Sequence, residues 1–108
     1  MSYRILIKGE KFNKPSQLFL YTVYGVDYCP YCKKAFSEIT NLNNKEQKTK
    51  GRIFVFSDPS LENKEDLFKY LQKKHKLPKS HRTFPIVYKK DKYLGGSSDL
   101  SNDLEENN

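Results

Sequence analysis

The chain is 108 residues long and 36% hydrophobic, which is enough for one domain with a single core that needs no stabilising disulfide. Its formal net charge is +7, but 17 of its 20 basic residues are Lys and three are Arg; because Arg makes the bidentate contacts that read phosphates and bases, this composition argues against a nucleic-acid-binding protein. The sequence contains no apolar run of about 18 residues and no signal-peptide pattern, so we expect a cytoplasmic protein that does not bind membranes.

The N-terminal part of the chain predicts two strands. Tyr3, Ile5 and Ile7 alternate along the chain as in a strand, so residues 1–17 are predicted to be an extension that adds an edge strand. Leu18 to Tyr24 is apolar at almost every position, which is typical of a strand covered on both faces. We expect a short loop to follow this second strand.

The two cysteines of the chain stand together in Cys29-Pro30-Tyr31-Cys32, where the second strand gives way to a helical pattern. Pro30 suits the first position of a helix because its missing N–H would have no partner there, and this makes Cys29 the N-cap residue. Unpaired N–H groups and the positive end of the helix dipole lower the pKa of a thiol at that position. We therefore predict a redox site in which Cys29 attacks and Cys32 resolves.

Two other uses of the cysteine pair stay open at this point. His75 and His81 form a His-x5-His pair that could complete a zinc site, but 42 residues separate Cys32 from His75, against about 12 to 15 in a zinc finger. A structural disulfide would close so short a loop that it would restrict the unfolded chain little. Disulfides are also rare in reducing compartments, so redox activity is the leading hypothesis.

The rest of the chain alternates between helix and strand patterns. The first helix is predicted to begin at Pro30 and to end in the polar stretch after Leu42, with an apolar stripe formed by Tyr31, Ala35, Phe36, Ile39 and Leu42. The later elements are a strand at Ile53 to Phe56, a helix from about Leu61, a hairpin of Ile86 to Tyr88 and Tyr93 to Leu94, a short terminal helix and an acidic tail at residues 103–108. The order β-α-β-α-β-β-α predicts an α/β fold with a mixed four-stranded sheet flanked by helices.

Three motifs together resemble those of one protein family. Cys29-Pro30-Tyr31-Cys32, Thr83-Phe84-Pro85 and Gly95-Gly96-Ser97-Ser98-Asp99-Leu100 occur in the family's order and at similar separations. The usual family forms are Cys-Pro-Tyr-Cys, Thr-Val-Pro and Gly-Gly-x-Ser-Asp-Leu. On these motifs the chain resembles a dithiol glutaredoxin over about residues 18–102, and the resemblance implies the thioredoxin fold.

The resemblance also implies a glutathione site around Cys29. Pro85 is expected to be cis, which would turn the backbone of Phe84 towards the extended peptide of glutathione, although a proline at the start of a strand is an ordinary alternative. Ser98 and Asp99 would hold the γ-glutamyl end, and both residues equally suit helix capping. The residues implied to contact glutathione are Tyr31, Arg82, Thr83, Phe84, Pro85, Gly96, Ser98 and Asp99.

The implied function is glutathione-dependent reduction of glutathione mixed disulfides and protein disulfides through Cys29 and Cys32. Glutathione would be the co-substrate, and no metal or organic cofactor would be bound. The protein partners would be glutathionylated or disulfide-containing proteins, and the chain is expected to act as a monomer without binding nucleic acid.

The sequence departs from the family at two positions that bear on glutathione. Val26 stands where many members carry Lys, and the Gln that often contacts glutathione from the second helix is replaced around Phe68. These departures leave an alternative, an electron donor that thioredoxin reductase reduces and that serves a dedicated partner such as ribonucleotide reductase. An iron–sulfur-binding glutaredoxin, which Pro30 disfavours, and a basic interaction module are the remaining alternatives.

Overall fold

The computed structural model describes residues 3–6, 14–26, 28–45, 51–56 and 61–106. Within these residues the chain forms five strands and three helices. The elements are β1 (Tyr3–Leu6), β2 (Tyr21–Val26), α1 (Pro30–Lys45), β3 (Gly51–Phe56), α2 (Leu61–Lys74), β4 (Ile86–Lys89), β5 (Lys92–Gly95) and α3 (Ser97–Glu106). None of these helices is long and apolar enough to cross a membrane.

The strands form one mixed sheet in the order β1-β3-β2-β4-β5. β3 runs parallel to both β1 and β2, and parallel neighbours need a long crossover, which α1 provides between β2 and β3. β4 is antiparallel to β2, and β5 is antiparallel to β4. The α/β class and the mixed sheet are confirmed. The strand predicted in the N-terminal extension is β1, which lies at the edge beside β3 and adds a fifth strand to the four predicted. Ile7, which the sequence also predicts in this strand, lies outside the described residues.

Strand β2 begins and ends later than the sequence predicts. The Phe19 N–H donates to the Ser16 carbonyl at 3.3 Å, and the Leu18 N–H donates to Ser16 Oγ at 3.1 Å, so this segment is a turn. Leu18 is 87% exposed, which shows that an apolar residue here does not imply a strand. At the other end Val26 still pairs with β3, and the predicted loop starts only after it.

The hairpin of β4 and β5 is tighter than predicted. Lys89 pairs with Lys92, so both belong to strands and only Lys90 and Asp91 form the turn. Lys90 has a φ of 55°, in the left-handed region that such short turns require. Its N–H donates to the Leu20 carbonyl at 2.8 Å, which fixes the turn to the segment before β2.

Helix α1 ends at Lys45, within the polar stretch where the sequence predicts its end. Asn43 Nδ2 donates to the Gly51 carbonyl at 3.1 Å, and the Gly51 N–H donates to Asn43 Oδ1 at 2.7 Å, so the end of α1 is fixed to the start of β3. The predicted apolar stripe is buried at Ala35, Phe36, Ile39 and Leu42. The assignment of Tyr31 to this stripe is wrong, because Tyr31 is 68% exposed in the first turn of the helix.

Buried tyrosines in the central strands connect the core to the surrounding elements. Tyr21, Tyr24 and Tyr88 are each at most 1% exposed. A buried hydroxyl needs a hydrogen-bond partner. The hydroxyl of Tyr88 donates to the His75 carbonyl at 2.9 Å, which anchors the end of α2 against β4.

Helix α3 includes four of the six residues predicted as an acidic tail, since it runs to Glu106. Asp103 attaches the helix to the sheet, because the Tyr21 hydroxyl donates to its carboxylate and Lys89 Nζ lies 3.0 Å from its Oδ2. Ser101 Oγ donates to Glu38 Oε1 of α1 at 2.8 Å. The domain boundary predicted at residue 102 stays a prediction, but the helix continues across it.

Replacing Asp103 with Asn is expected to destabilise the chain by about 1.5 to 3 kcal/mol at pH 7, the usual range for hydrogen bonds to a charged group. Burial raises the pKa of Asp103, but the hydrogen bonds from Tyr21 and Lys89 outweigh burial and hold the pKa below its ordinary value. A carboxyl whose folded pKa is depressed contributes stability above its unfolded pKa of about 3.9, and this contribution is lost as the pH falls through the folded pKa.

Urea unfolding of the wild type and of Asp103→Asn at several pH values measures this effect. The difference between the two chains in free energy of unfolding should be largest at pH 7 and should shrink at pH values below about 4. Glu105→Gln, an exposed substitution on the same helix, is the matched control and should change stability little. A difference that is independent of pH would contradict the role of the Asp103 charge.

Candidate active site

Cys29 occupies the N-cap of α1, as predicted. Its carbonyl accepts the N–H of Lys33 at 3.0 Å, which is the first hydrogen bond of the helix. Its partly exposed sulfur accepts hydrogen bonds from the backbone N–H groups of Cys32 and Tyr31 and from the Cys32 thiol. Burial raises the pKa of Cys29, but these hydrogen bonds outweigh burial and the pKa lies below its ordinary value.

Cys32 lies in the first turn of α1 with no exposed surface. Burial raises the pKa of Cys32 to about 12, and the hydrogen bond to Cys29 and the charge of Cys29 raise it further, against a hydrogen bond from the Val26 backbone that lowers it. Both cysteines are free thiols in this structure. The two sulfurs are therefore inequivalent: the thiolate is favoured at Cys29, and the neutral thiol at Cys32 donates to it.

Gly25 in β2 makes room for the buried sulfur. A Cβ atom at this position would lie 3.0 Å from Cys32 Sγ and 2.8 Å from Phe36 Cζ, which is closer than side chains normally approach. Any larger residue would displace Cys32 or Phe36. The sequence gives no signal for this role, because it arises from the packing of α1 on β2.

The segment of residues 83–85, which we call the cis-proline segment, lies at the same end of the sheet as the cysteine pair. The peptide bond before Pro85 is cis, as the resemblance implies. Ile86 pairs with Tyr24 in the antiparallel register of β4 and β2, so Pro85 lies level with Gly25. The strand register therefore brings together two motifs that are more than 50 residues apart in the sequence.

The start of α3 contacts the cis-proline segment. A Cβ atom at Gly96 would lie 3.8 Å from the Pro85 carbonyl oxygen, so the two backbones are close neighbours. The Gly96 N–H donates to Asp99 Oδ2 at 3.0 Å, which is the reach-back bond of a capping box. Of the two capping candidates the structure thus assigns this role to Asp99, whereas Ser98 is exposed within the first turn of the helix.

The other predicted glutathione contacts surround these segments. Tyr31, Arg82 and Thr83 are exposed, and Arg82 Nε donates to the Lys79 carbonyl at 3.2 Å. Phe84 is half-buried, with its ring centroid 5.6 Å from that of Phe68 on α2. An aromatic side chain of α2, in the region where the sequence predicts that the family's Gln is missing, therefore packs on the cis-proline segment. That these residues contact glutathione stays a prediction.

His81 is a residue of this site whose role the sequence analysis missed. Its Nε2 lies 2.9 Å from the Thr83 carbonyl oxygen and 3.2 Å from the Pro85 carbonyl oxygen, and its Nδ1 forms a short hydrogen bond with the hydroxyl of Tyr93 on β5. In the sequence, the one feature that points to this role is the position of His81 two residues before Thr83. The His-x5-His spacing points to a zinc site instead.

The geometry gives no support to the zinc alternative. His75 Nε2 lies 3.1 Å from the hydroxyl of Tyr70, and His81 bonds to Tyr93 and to the cis-proline segment. Among the residues that the structure describes, no three His, Cys, Asp or Glu side chains are grouped so that they could hold a metal ion.

Comparisons with known proteins agree with the motif resemblance. No protein-family model matches the chain. Glutaredoxin-2 of Schizosaccharomyces pombe is 29% identical over 80 residues, which are 74% of this chain and 63% of the relative, so the match spans less than two thirds of that protein's length.

Solved structures extend the comparison to the fold. The glutaredoxin of E. coli is 26% identical, with a TM-score of 0.53 over 81% of this chain and 94% of its own. Glutaredoxin 1 of Francisella tularensis, complexed with cacodylate, is 19% identical, with a TM-score of 0.61 over 80% of this chain and 92% of its own. These similarities confirm the thioredoxin-like fold that the motifs imply.

Proposed function

We propose that the chain is a glutaredoxin of the thioredoxin-fold superfamily, to whose members it is similar, and that it is a glutathione-dependent thiol–disulfide oxidoreductase. Its substrates are glutathione mixed disulfides and protein disulfides, and glutathione is its co-substrate. The observation that carries this proposal is the inequivalence of the two sulfurs. Cys29 is accessible and has a lowered pKa, whereas Cys32 is buried and its pKa is raised to about 12.

Reduction of a glutathione mixed disulfide needs only Cys29. Its thiolate attacks the sulfur of the glutathione moiety, a bond forms between these two sulfurs, and the substrate leaves as a thiolate that takes up a proton. A second glutathione, as the thiolate, then attacks the glutathione sulfur on Cys29. The product is glutathione disulfide, in which two glutathione thiols have lost two electrons to the substrate, and Cys29 returns as a thiolate.

Reduction of a protein disulfide uses both cysteines. Cys29 attacks one sulfur of the substrate disulfide and forms a mixed disulfide, which releases the other substrate sulfur as a thiolate. Cys32 loses its proton, attacks Cys29 Sγ and releases the second substrate sulfur. Two glutathione molecules then reduce the Cys29–Cys32 disulfide. The location of Cys32 directly against Cys29 supports this resolving step.

We propose that glutathione lies along the cis-proline segment and the start of α3. The peptide backbone of glutathione would contact Thr83, Phe84 and Pro85. Its γ-glutamyl end would be held by Gly96, Ser98 and Asp99. The exposed side chains of Tyr31 and Arg82 would contact it from the edge of the site. The proposal is supported by the close approach of Gly96 to Pro85. The exposure of Ser98 and Asp99 at the helix start leaves both accessible to a ligand.

A second candidate function is supported by Val26. Many glutaredoxins carry Lys at this position, and here it is an apolar side chain that is only 3% exposed. The Lys side chain would stabilise the thiolate and attract the carboxylates of glutathione. Here a core residue stands in its place. This favours the alternative in which thioredoxin reductase reduces the chain for a dedicated protein partner.

The two candidates differ in the enzyme that regenerates the dithiol. NADPH oxidation is followed with a glutathionylated peptide as substrate, either with glutathione and glutathione reductase or with thioredoxin reductase alone. We expect turnover in the first assay, at rates that depend on glutathione concentration. Turnover only in the second assay would replace the proposed function with the alternative. A monomeric chain in the cytoplasm, with no bound metal or organic cofactor, is part of the proposal.

A further inference from the structure

His81 connects three parts of the chain that meet beside the active site. Carbonyl oxygens only accept hydrogen bonds, so the contacts of Nε2 with the Thr83 and Pro85 carbonyls place the imidazole proton on Nε2. When the ring is neutral, Nδ1 accepts the hydroxyl proton of Tyr93. A neutral imidazole with this single tautomer satisfies all three contacts.

These contacts bear directly on the peptide units around Phe84. One His81 N–H is shared between the carbonyl before Phe84 and the carbonyl of Pro85, so the ring spans the turn that contains the cis peptide bond. The Tyr93 ring packs edge-on against His81, with centroids 5.4 Å apart, and Tyr93 belongs to β5, which leads directly into Gly96 and α3. The His81 side chain thus links the cis-proline segment to the strand that carries the start of α3.

We propose that His81 is a positioning residue that holds the cis-proline segment in the conformation that binds the glutathionylated substrate, with Tyr93 holding His81. This inference rests on the proposed function, because it concerns how a glutathionylated substrate is held. His81 does not touch the reacting sulfurs; it acts through Thr83 and Pro85. When a segment samples other conformations, its affinity for the substrate falls in proportion as the competent conformation becomes less populated.

The expected consequence is a change in KM without a matching change in kcat. His81→Ala removes the contacts to both carbonyls and should raise KM for a glutathionylated peptide about five- to tenfold, the range expected for one or two net hydrogen bonds. The value of kcat should stay within about twofold, because the environment of Cys29 is unchanged. The pH profile of Cys29 alkylation should also be the same in both chains.

Two further variants separate positioning from general stability. His81→Gln places an amide N–H₂ group near the position of Nε2 and should restore KM to within about twofold of the wild type. His75→Ala is the matched control, because it also removes a half-buried histidine but one that bonds to Tyr70 and not to the cis-proline segment. It should leave KM unchanged.

Amide hydrogen exchange tests the same inference without any substrate. In free His81→Ala, the backbone amides of Arg82, Thr83, Phe84 and Ile86 should exchange faster than in the wild type, while in His75→Ala they should exchange at the wild-type rate. If the wild-type chain fails to turn over the glutathionylated peptide, the proposed function falls, and the exchange rates alone then decide whether His81 holds the segment.

Several results would overturn the inference. Unchanged exchange over residues 82–86 in His81→Ala would show that the segment holds its conformation without the ring. A loss of kcat at constant KM would place the effect of His81 on the chemical step instead. Equal rises in KM in His81→Ala and His75→Ala would show that His81 is an ordinary packed side chain. A KM that His81→Gln does not restore would show the same.

Discussion

Replacing Cys29 with Ser is expected to reduce both the glutathione-mixed-disulfide activity and the protein-disulfide activity to the rate of the uncatalysed exchange. A serine hydroxyl cannot form a disulfide, so neither route has a first step. Cys32 cannot substitute for it, because Cys32 is fully buried and its pKa is raised to about 12, which leaves almost no thiolate near neutral pH. The coupled glutathione reductase assay measures the first activity, and reduction of a disulfide-containing peptide measures the second.

The control for Cys29→Ser is a measurement of its unfolding, which shows whether the variant is still folded. The serine hydroxyl still caps α1, so the unfolding midpoint should stay close to that of the wild type. Appreciable turnover by a folded Cys29→Ser chain would mean that Cys32 can attack. The assignment of the attacking and resolving sulfurs would then be wrong.

Replacing Cys32 with Ser is expected to separate the two activities. Reduction of a glutathione mixed disulfide should remain within about threefold of the wild type, because that route uses only Cys29 and the serine hydroxyl can still donate a hydrogen bond to its sulfur. Reduction of a protein disulfide should fall by about tenfold or more, because no second thiol is present to release the substrate from Cys29. Steady-state rates with the two substrates give this ratio directly.

Cys32→Ala extends the test to the electrostatics of the site. The thiol of Cys32 is one of the hydrogen-bond donors that lower the pKa of Cys29, so its removal should raise the pKa of Cys29 relative to the Ser variant. The pH dependence of Cys29 alkylation reports this pKa. Equal loss of both activities in Cys32→Ser would contradict the resolving role of Cys32, and identical alkylation profiles for the Ser and Ala variants would contradict its role as a hydrogen-bond donor.

The order of elements was predictable because apolar periodicity depends on near neighbours in the chain. The buried face of α1, from Ala35 to Leu42, and the strands β3 and β4 all follow from such local patterns. Element ends were less predictable. Leu18 is apolar yet exposed in a turn, and the end of α1 depends on a side-chain contact between Asn43 and Gly51. Contacts of this kind leave no periodic signal.

The same distinction explains which parts of the site the sequence revealed. Cys29 and Cys32 were evident because their spacing and the adjacent Pro30 define a helix start. Gly25 and His81 were not, because their roles depend on how β2 packs on α1 and on how β5 lies beside the cis-proline segment. Asp99 was identified from its motif, but only the structure shows its carboxylate bonded to the Gly96 N–H.

Strand β1 also affects how the chain behaves among other copies of itself. It covers the outer side of β3, whose six residues would otherwise offer unpaired N–H and C=O groups to any neighbouring chain. The opposite border of the sheet is β5, only four residues long and beginning with an exposed Lys92. Both borders of the sheet, β1 and β5, are thus only four residues long, and such short edge strands are poor templates for pairing with another chain. Removing the first residues of the chain would expose the longer edge of β3 instead.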